Sequence, residues 1–424
     1  MQSHYDVIIL GDSLAGRIAA TLLARGGCRV LSLEEDLPVS PVWFTSSLHL
    51  EKLLENLSGR ACLTAPPSFQ LLSSASRIDF SNHHPLDEEL SREFPEDSKT
   101  LNELLTSLRS YGELLETILL GAGRAPLKGL GNGVRFRWKA LRGGLGFSFG
   151  GTTLAKHLDK LALGRESHAF VEALFTGLSL IDFTSLSYAE AAIIWNSHSR
   201  EHGASASGLD TLLHQRYEQF HGKTEALANL RQIDTSGQQV RQVVLKNGSS
   251  CTADHYLLAS AAAAKQLSPA FNHRKLQLAS QPSRVVTGEV KGELSPLLSR
   301  RVILSDEDVL RLSFGKRGEN TLCAIDVPSG HRVPTEDTLR KALSPAFAFT
   351  RFELNMPEEK ASLASRRTAR SWLGQQTTTR LLPNALLCEG VSLLPALGAT
   401  GETIVGSALA SYILSRKPKS KTKS

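Results

Sequence analysis

Residues 6–34 read DVIILGDSLAGRIAATLLARGGCRVLSLE, and this stretch decides the fold. Residues 6–10 form a continuous apolar run, which is typical of a buried parallel strand. A glycine turn and the small-residue sequence AGRIAATLLARGG follow, and they predict a helix that stops at Gly26 and Gly27. Residues 29–33 then supply a second strand. The order of strand, turn, helix and strand predicts a βαβ unit.

The turn of this unit carries the small residues that a dinucleotide site requires. Gly11 permits the tight bend, and Gly16 lets the helix approach the strand. Ser13 stands where a second glycine is usual, so its side chain either crowds a phosphate or donates a hydrogen bond to it. The N–H groups of the helix that starts near Leu14 and Ala15 are expected to face the anion, and the helix dipole favours that contact.

An acid follows at the end of the second strand. Glu34 lies 18 residues beyond Gly16, where a carboxylate accepts hydrogen bonds from both ribose hydroxyls of an adenosine. An acid at this position disfavours a 2′-phosphate. The unit therefore predicts an adenine dinucleotide, and by itself it could serve NAD. The other interpretation is a Rossmann-like unit that has lost its ligand.

Two later stretches, residues 203–260 and 384–414, have the form of further parts of the same domain as the opening unit. Residues 203–233, GASASGLDTLLHQRYEQFHGKTEALANLRQI, predict a glycine turn, a helix and a short strand. Residues 240–260 predict a hairpin with Asn247 and Gly248 at the turn. Residues 384–414, NALLCEGVSLLPALGATGETIVGSALASYIL, predict a strand, a turn rich in Gly and Pro, and a helix.

With these three segments the chain resembles the superfamily of FAD-dependent amine oxidases and phytoene desaturases. The resemblance implies FAD as the cofactor, with Leu230 packed near the adenine and Glu389 holding the ribityl chain. It also implies a helix whose dipole stabilises negative charge at the N1 and O2 edge of the flavin. The residues that would begin this helix are Gly401, Glu402, Thr403 and Ile404.

The sequence also departs from the superfamily pattern. After Glu34 the family usually has a Gly-Gly-Arg stretch, whereas residues 35–50 read EDLPVSPVWFTSSLHL. Cys388 replaces a usual glycine before Glu389. Arg17 either supplies the missing positive charge or is simply solvated at the start of its helix.

The remaining sequence predicts a second domain. Residues 85–200 are mainly helical, with an apolar stripe that we interpret as core packing: Leu104, Leu108, Tyr111, Leu115 and Ile118. Four strand-like stretches between residues 284 and 327 predict an antiparallel sheet. The fold class is therefore α/β, a Rossmann-like FAD-binding domain interleaved with an α+β substrate domain. The predicted FAD domain comprises residues 1–75, 200–275 and 378–414, and the substrate domain comprises residues 76–199 and 276–377.

The charge distribution argues against a nucleic-acid-binding body. The net charge is +6, and five of the positive charges lie among the last ten residues, at Arg416, Lys417, Lys419, Lys421 and Lys423. The rest of the chain is nearly neutral. We expect residues 415–424 to form a solvated, disordered tail, and the alternative is peripheral contact with anionic lipid or RNA.

The cysteines favour a reducing compartment. The five of them, at positions 28, 62, 251, 323 and 388, form no C-x-x-C pair, so neither a disulfide framework nor a cysteine zinc site is indicated. We find no signal sequence and no apolar window of about 18 residues. The chain is expected to be cytoplasmic.

A metal site is not expected. The string from His198 to His202 satisfies the H-x-x-E-H pattern of inverted zinc peptidases, but it ends a helix before Gly203 and no third ligand follows. We interpret these histidines as exposed. The stretch 143–151 is interpreted as a flexible turn or as a lid over the substrate.

The resemblance implies an oxidoreductase that transfers a hydride from a C–H or C–N bond to flavin N5. The substrate is expected to be a small molecule, either an amine or an apolar isoprenoid or polyene, and the electron acceptor is left open. No catalytic acid or base stands out, because the cofactor carries the chemistry. The alternative is a redox-inactive binding or carrier protein on the same scaffold.

Overall fold

The computed structural model describes residues 2–34, 46–64, 68–74, 76–81, 85–122, 152–200, 203–204, 206–236, 239–260, 277–280, 284–291, 297–306, 308–317, 320–328, 335–343, 351–355, 361–364, 380–388 and 395–416. The helices are α1 (Leu14–Arg25), α2 (Leu48–Asn56), α3 (Leu86–Glu93), α4 (Ser98–Ala122), α5 (Leu154–Leu158), α6 (Arg165–Ser179), α7 (Tyr188–His198), α8 (Ala206–Gln219), α9 (Glu336–Leu343) and α10 (Gly398–Leu414).

The strands are β1 (Gln2–Leu10), β2 (Val30–Glu34), β3 (Leu63–Thr64), β4 (Phe69–Leu72), β5 (Arg77–Phe80), β6 (Gly203–Ala204), β7 (Lys223–Ala226), β8 (Leu230–Ser236), β9 (Gln239–Leu245), β10 (Ser250–Leu258), β11 (Gln277–Ser280), β12 (Arg284–Lys291), β13 (Arg301–Ser305), β14 (Val309–Arg317), β15 (Asn320–Val327), β16 (Arg351–Asn355), β17 (Ala361–Ala364), β18 (Arg380–Leu382) and β19 (Ala385–Leu387).

The βαβ unit lies at the centre of an eight-stranded sheet. Its main path is β18-β19-β10-β1-β2-β7, and the antiparallel pair β8 and β9 extends from β10. β1 runs parallel to both β10 and β2, with Val7 level with His255 on one side and Val30 on the other. Residues 7–10 are fully buried, as a parallel strand covered on both faces requires. The predicted strand, helix and strand are confirmed.

The predicted hairpin is also confirmed. β9 and β10 are antiparallel, with Cys251 opposite Val243, and Asn247 and Gly248 lie between them. Gly248 has φ +82°, a left-handed conformation that glycine adopts without a steric penalty.

A second sheet of seven strands has the order β16-β12-β15-β14-β13-β4-β5. The four strands predicted between residues 284 and 327 are β12 to β15, and the pairs β12·β15, β14·β15 and β13·β14 are antiparallel. One face carries the buried Val302 and Leu304, which belong to the same apolar cluster as Leu339 and Leu343 of α9. β4 joins this sheet although it lies within the range 1–75, and the domain boundaries stay a prediction.

The helical block packs against the seven-stranded sheet through α6, which contacts β13 and β14. Leu104, Leu108, Leu115 and Ile118 of α4 are buried, which confirms that the stripe is core. Tyr111 is half-buried and lies edge-on to Tyr188 of α7, with ring centroids 5.4 Å apart. Among the described residues, no helix combines the length and apolarity needed to cross a membrane.

The first and last helices form a parallel pair. A Cβ placed on Gly406 of α10 would lie 2.6 Å from the carbonyl oxygen of Ala15, so only glycine permits this approach. At the other end, a Cβ on Gly26 would collide with Leu414. The two helices therefore run in the same direction, and both N-termini point to the same side of the sheet.

Candidate functional site

The turn between β1 and α1 is built on a close backbone approach. Gly11 has φ +104°, and a Cβ there would lie 2.5 Å from Cβ of Ser260. A Cβ on Gly16 would lie 2.7 Å from Cβ of Ala259. Both glycines are therefore required by the packing of the turn and of α1 against the end of β10, as the dinucleotide pattern predicts.

The hydroxyl of Ser13 serves the protein backbone. It accepts a hydrogen bond from Gly16 N–H at 3.1 Å and donates one to the carbonyl oxygen of Cys388 at 2.8 Å. Ser13 is thus the N-cap of α1 and also ties this helix to the strand that precedes α10. The hydroxyl proton of Ser13 is thus engaged with Cys388, and the predicted crowding of a phosphate, or donation to it, stays a prediction.

The next N–H group of α1 is held by a carboxylate. Ala15 N–H donates to Oε2 of Glu402 at 2.8 Å, and Glu402 is only 6% exposed. This carboxylate reaches Ala15 because Gly406, one helical turn further along α10, packs directly against Ala15. In this structure Glu402 contacts α1, and its predicted contact with a cofactor stays a prediction.

The helix α10 begins earlier than predicted. It starts at Gly398, directly after a 3-10 turn over Pro395–Leu397, so residues 401–404 lie beyond its first three N–H donors. The reason is that the chain turns into the helix at Gly398, whose φ of +49° is a left-handed conformation that glycine adopts without a steric penalty. Thr403 also donates its hydroxyl to the carbonyl oxygen of Ala399. The prediction that Gly401, Glu402, Thr403 and Ile404 begin the helix is wrong.

Glu34 opens onto a cavity. It is half-buried at the end of β2 and lines a space of about 270 Å³ between α1, β2 and α8. Thr21 and Tyr217 line the same cavity. Arg17 also lines it, and its guanidinium pairs with Asp210 of α8, so Arg17 is neither solvated alone nor unpaired.

The structure leaves several of the predicted features untested. Leu230 is buried at the first position of β8, and its contact with an adenine stays a prediction. Glu389, His202, the stretch 143–151, the residues 35–45 after Glu34 and the tail from residue 417 lie outside the described residues.

A buried carboxylate that the sequence analysis missed lies close to the start of α10. Glu116 of α4 is fully buried, accepts the Leu48 N–H at 2.9 Å and lies 3.4 Å from the Ser197 hydroxyl. Arg200 lies 3.7 Å away and pairs more closely with Glu51. Burial raises the pKa of Glu116 to about 7, although these hydrogen bonds and Arg200 oppose the shift.

This network, consisting of Glu51, Glu116, Ser197 and Arg200, reaches α10 through one further contact. The hydroxyl oxygens of Ser197 and Thr400 are 3.2 Å apart, and Thr400 lies in the first turn of α10. Its members come from α2, α4 and the end of α7. Glu116 and Ser197 are 81 positions apart, so no local pattern could have brought them together.

Of the two histidines in the H-x-x-E-H motif, only His198 lies in the described part of the chain. His198 is largely buried at the end of α7, and its Nδ1 lies 2.8 Å from the carbonyl oxygen of Ile194. Burial lowers its pKa to about 3. The prediction that it is exposed is wrong, because the seven-stranded sheet covers it, with Phe69 edge-on at 5.8 Å. Among the described residues, no group of three or more His, Cys, Asp or Glu could hold a metal.

No protein-family model and no curated protein sequence matches this chain. Solved structures do share its fold. Wild-type putrescine oxidase bound to putrescine is 14% identical, with a TM-score of 0.60, over 98% of this chain and 100% of the other. Cyclohexylamine oxidase from Brevibacterium oxydans IH-35A is 15% identical, with a TM-score of 0.59, over 97% and 99%. An oxidoreductase from Methanosarcina mazei is 11% identical, with a TM-score of 0.56, over 97% and 100%.

The chain therefore shares the fold of these two oxidases and of the oxidoreductase along nearly its whole length, which confirms the fold class and the resemblance of fold that the three sequence segments predict. The described residues fit an adenine dinucleotide at the Glu34 end of the unit, but not at the N-terminus of α1. The Glu34 cavity offers an acid and open space, whereas the N–H of Ala15, at the N-terminus of α1, already donates to the Glu402 carboxylate.

Proposed function

We propose that this protein is an FAD-dependent oxidoreductase of the amine oxidase type. The observation that carries the proposal is Glu34 at the end of β2, facing a cavity in a fold shared with two amine oxidases. FAD, when bound, would accept a hydride from a C–H or C–N bond of the substrate. The protein's own contribution is to bind, to orient and to exclude water.

The roles of individual residues follow from their positions. Glu34 would accept hydrogen bonds from the two ribose hydroxyls of the adenosine. Gly11 and Gly16 keep the turn close to the sheet, which leaves room for a nucleotide backbone. The parallel arrangement of α1 and α10 directs the positive ends of two helix dipoles to one side, where they favour negative charge.

The substrate is proposed to be a small amine or an apolar molecule that binds against the cofactor, between the two sheets. Putrescine and cyclohexylamine, named with the two similar oxidases, support the amine. The electron acceptor of the reaction stays open. The basic residues from 417 onward are proposed to be solvated, with contact to anionic lipid as the alternative.

The first test is the visible spectrum of the purified protein and its titration with FAD. We expect flavin bands near an equimolar ratio, and the Glu34→Ala variant should weaken FAD binding about tenfold to a hundredfold, because charged hydrogen bonds to the ribose are lost. Glu218→Ala removes an exposed carboxylate of α8 outside the cavity and serves as the control. A colourless wild type that cannot be reconstituted would refute the proposal, and unchanged binding in Glu34→Ala would refute the ribose contact.

A second candidate is a redox-inactive carrier on the same scaffold. The sequence after Glu34 favours it, because residues 35–50 lack the glycine pair and arginine of the superfamily. This candidate predicts a stable protein that binds an apolar ligand without flavin. The same reconstitution experiment distinguishes it from the enzyme.

A further inference from the structure

The first turn of α1 is already occupied by side chains of the protein itself. Of the first three helical residues, Ala15 donates its N–H to Glu402 and Gly16 donates to Ser13. These N–H groups are the ones that a Rossmann-type helix directs at an anion. A carboxylate is an anion, so the Glu402 side chain occupies the place at the N-terminus of α1 where a phosphate would bind.

The placement of Glu402 is set by rigid packing. Gly406 lies against the carbonyl oxygen of Ala15, and Gly26 lies against Leu414, so α10 is fixed beside α1 at both ends. Glu402 lies one turn before Gly406, which places its carboxylate at the N-terminus of α1. It is 6% exposed, and the hydrogen bond is 2.8 Å long.

We propose that Glu402 is a built-in competitor for the anion position of α1, and that a dinucleotide pyrophosphate reaches the Ala15 N–H only by displacing this carboxylate. The inference rests on the proposed function in that it concerns the same nucleotide site. Two anions cannot share one set of donors without strong repulsion in a buried site. Glu402 therefore acts as an internal latch that weakens nucleotide binding until its side chain turns away.

The test compares two probes on the full-length chain by isothermal titration calorimetry. ADP carries the adenosine and a pyrophosphate, whereas adenosine lacks the phosphates. In Glu402→Gln the competing charge is gone, so we expect the dissociation constant for ADP to fall at least about tenfold, with adenosine binding unchanged. Glu336→Gln, an exposed carboxylate on α9, controls for the loss of one negative charge.

A second variant keeps the test decisive if Glu402→Gln does not fold. Glu402→Asp retains the charge, but its side chain is one methylene shorter and holds Ala15 less well, so ADP affinity should rise by a smaller factor. An ADP affinity at or below that of the wild type in every variant that folds would overturn the proposal. An equal gain for adenosine, or no ADP binding by any folded variant, would overturn it too.

The outcome is separable from that of the proposed function. Tight FAD binding by the wild type, with no ADP gain in the variants, would refute the latch and leave the enzyme standing. An ADP gain in Glu402→Gln together with a wild type that cannot be reconstituted with FAD would support the latch and refute the enzyme.

Discussion

Two regions of the βαβ unit differ in accessibility, although one sequence motif predicts that both contact a dinucleotide. At the end of β2, Glu34 faces a cavity of about 270 Å³. At the N-terminus of α1, Ala15 already donates to Glu402, and Gly16 is capped by Ser13. The cavity at Glu34, which we call the open region, is bounded by α8. The N-terminus of α1, which we call the closed region, is covered by α10. A nucleotide motif thus specifies the backbone, and helices from distant parts of the chain decide which portion is accessible.

The largest loss of stability should come from a substitution at Gly11, in the turn between β1 and α1 that both regions share. In Gly11→Ala the new methyl group would lie 2.5 Å from Ser260 Cβ at φ +104°. Strain and overpacking together should lower the free energy of unfolding by about 4 kcal/mol, as measured by urea denaturation. Gly248→Ala is the matched control, because it has φ +82° but nothing within 4 Å. Equal losses in the two variants would show that the close approach is not a constraint.

The buried network around Glu116 should make the free energy of unfolding depend on pH. The pKa of Glu116 is raised to about 7 in the folded chain, so between pH 4.5 and pH 7 the folded state binds the proton that the unfolded state has released. Its stabilising contribution is complete below pH 4.5 and is lost as the pH rises through 7. Over this range the wild type should lose about 3 kcal/mol relative to Glu116→Gln.

The measurement is urea unfolding of both proteins at several pH values between 4.5 and 8. Glu113→Gln removes an exposed carboxylate from the same helix and controls for the charge. A difference between wild type and Glu116→Gln that does not vary with pH would mean that the carboxyl is not protonated near neutrality.

The smallest change in the free energy of unfolding is expected from a substitution at the open region. Arg17 and Asp210 pair at the cavity, but about a third of each side chain is exposed, so solvent screens the attraction. Arg17→Ala should therefore lower the free energy of unfolding by less than about 1 kcal/mol, which is a shift of a few degrees at most in thermal denaturation. A loss of several kcal/mol would indicate that this region is closed as firmly as the other one.

The sequence predicts the backbone better than the contacts. The strand at residues 6–10, the glycine turn and the hairpin at Asn247 and Gly248 follow from local periodicity and turn chemistry, and the structure has all of them. The contact between Ala15 and Glu402 spans 387 positions and depends on the glycine at 406. Nothing local to either residue encodes it.

The same limit explains the other errors. The predicted start of α10 lies too late because the chain enters the helix through the left-handed Gly398, three residues before Gly401, and the sequence alone does not distinguish the two glycines. His198 is predicted to be exposed because its motif ends a helix before Gly203. The seven-stranded sheet that covers it is formed mostly by residues beyond position 300.

The parallel pairing of α1 and α10 also has a consequence for the order of folding during synthesis. At about 5 to 20 residues per second, the 387 positions between Ala15 and Glu402 take about 20 to 80 s to translate. At the start of that interval β1, α1 and β2 have neither β10, β19 nor α10 beside them, and α10 is the last of the three to be translated. The anion-attracting end of α1 is therefore uncovered early in the life of each molecule, and a nucleotide present then would meet it before Glu402 does.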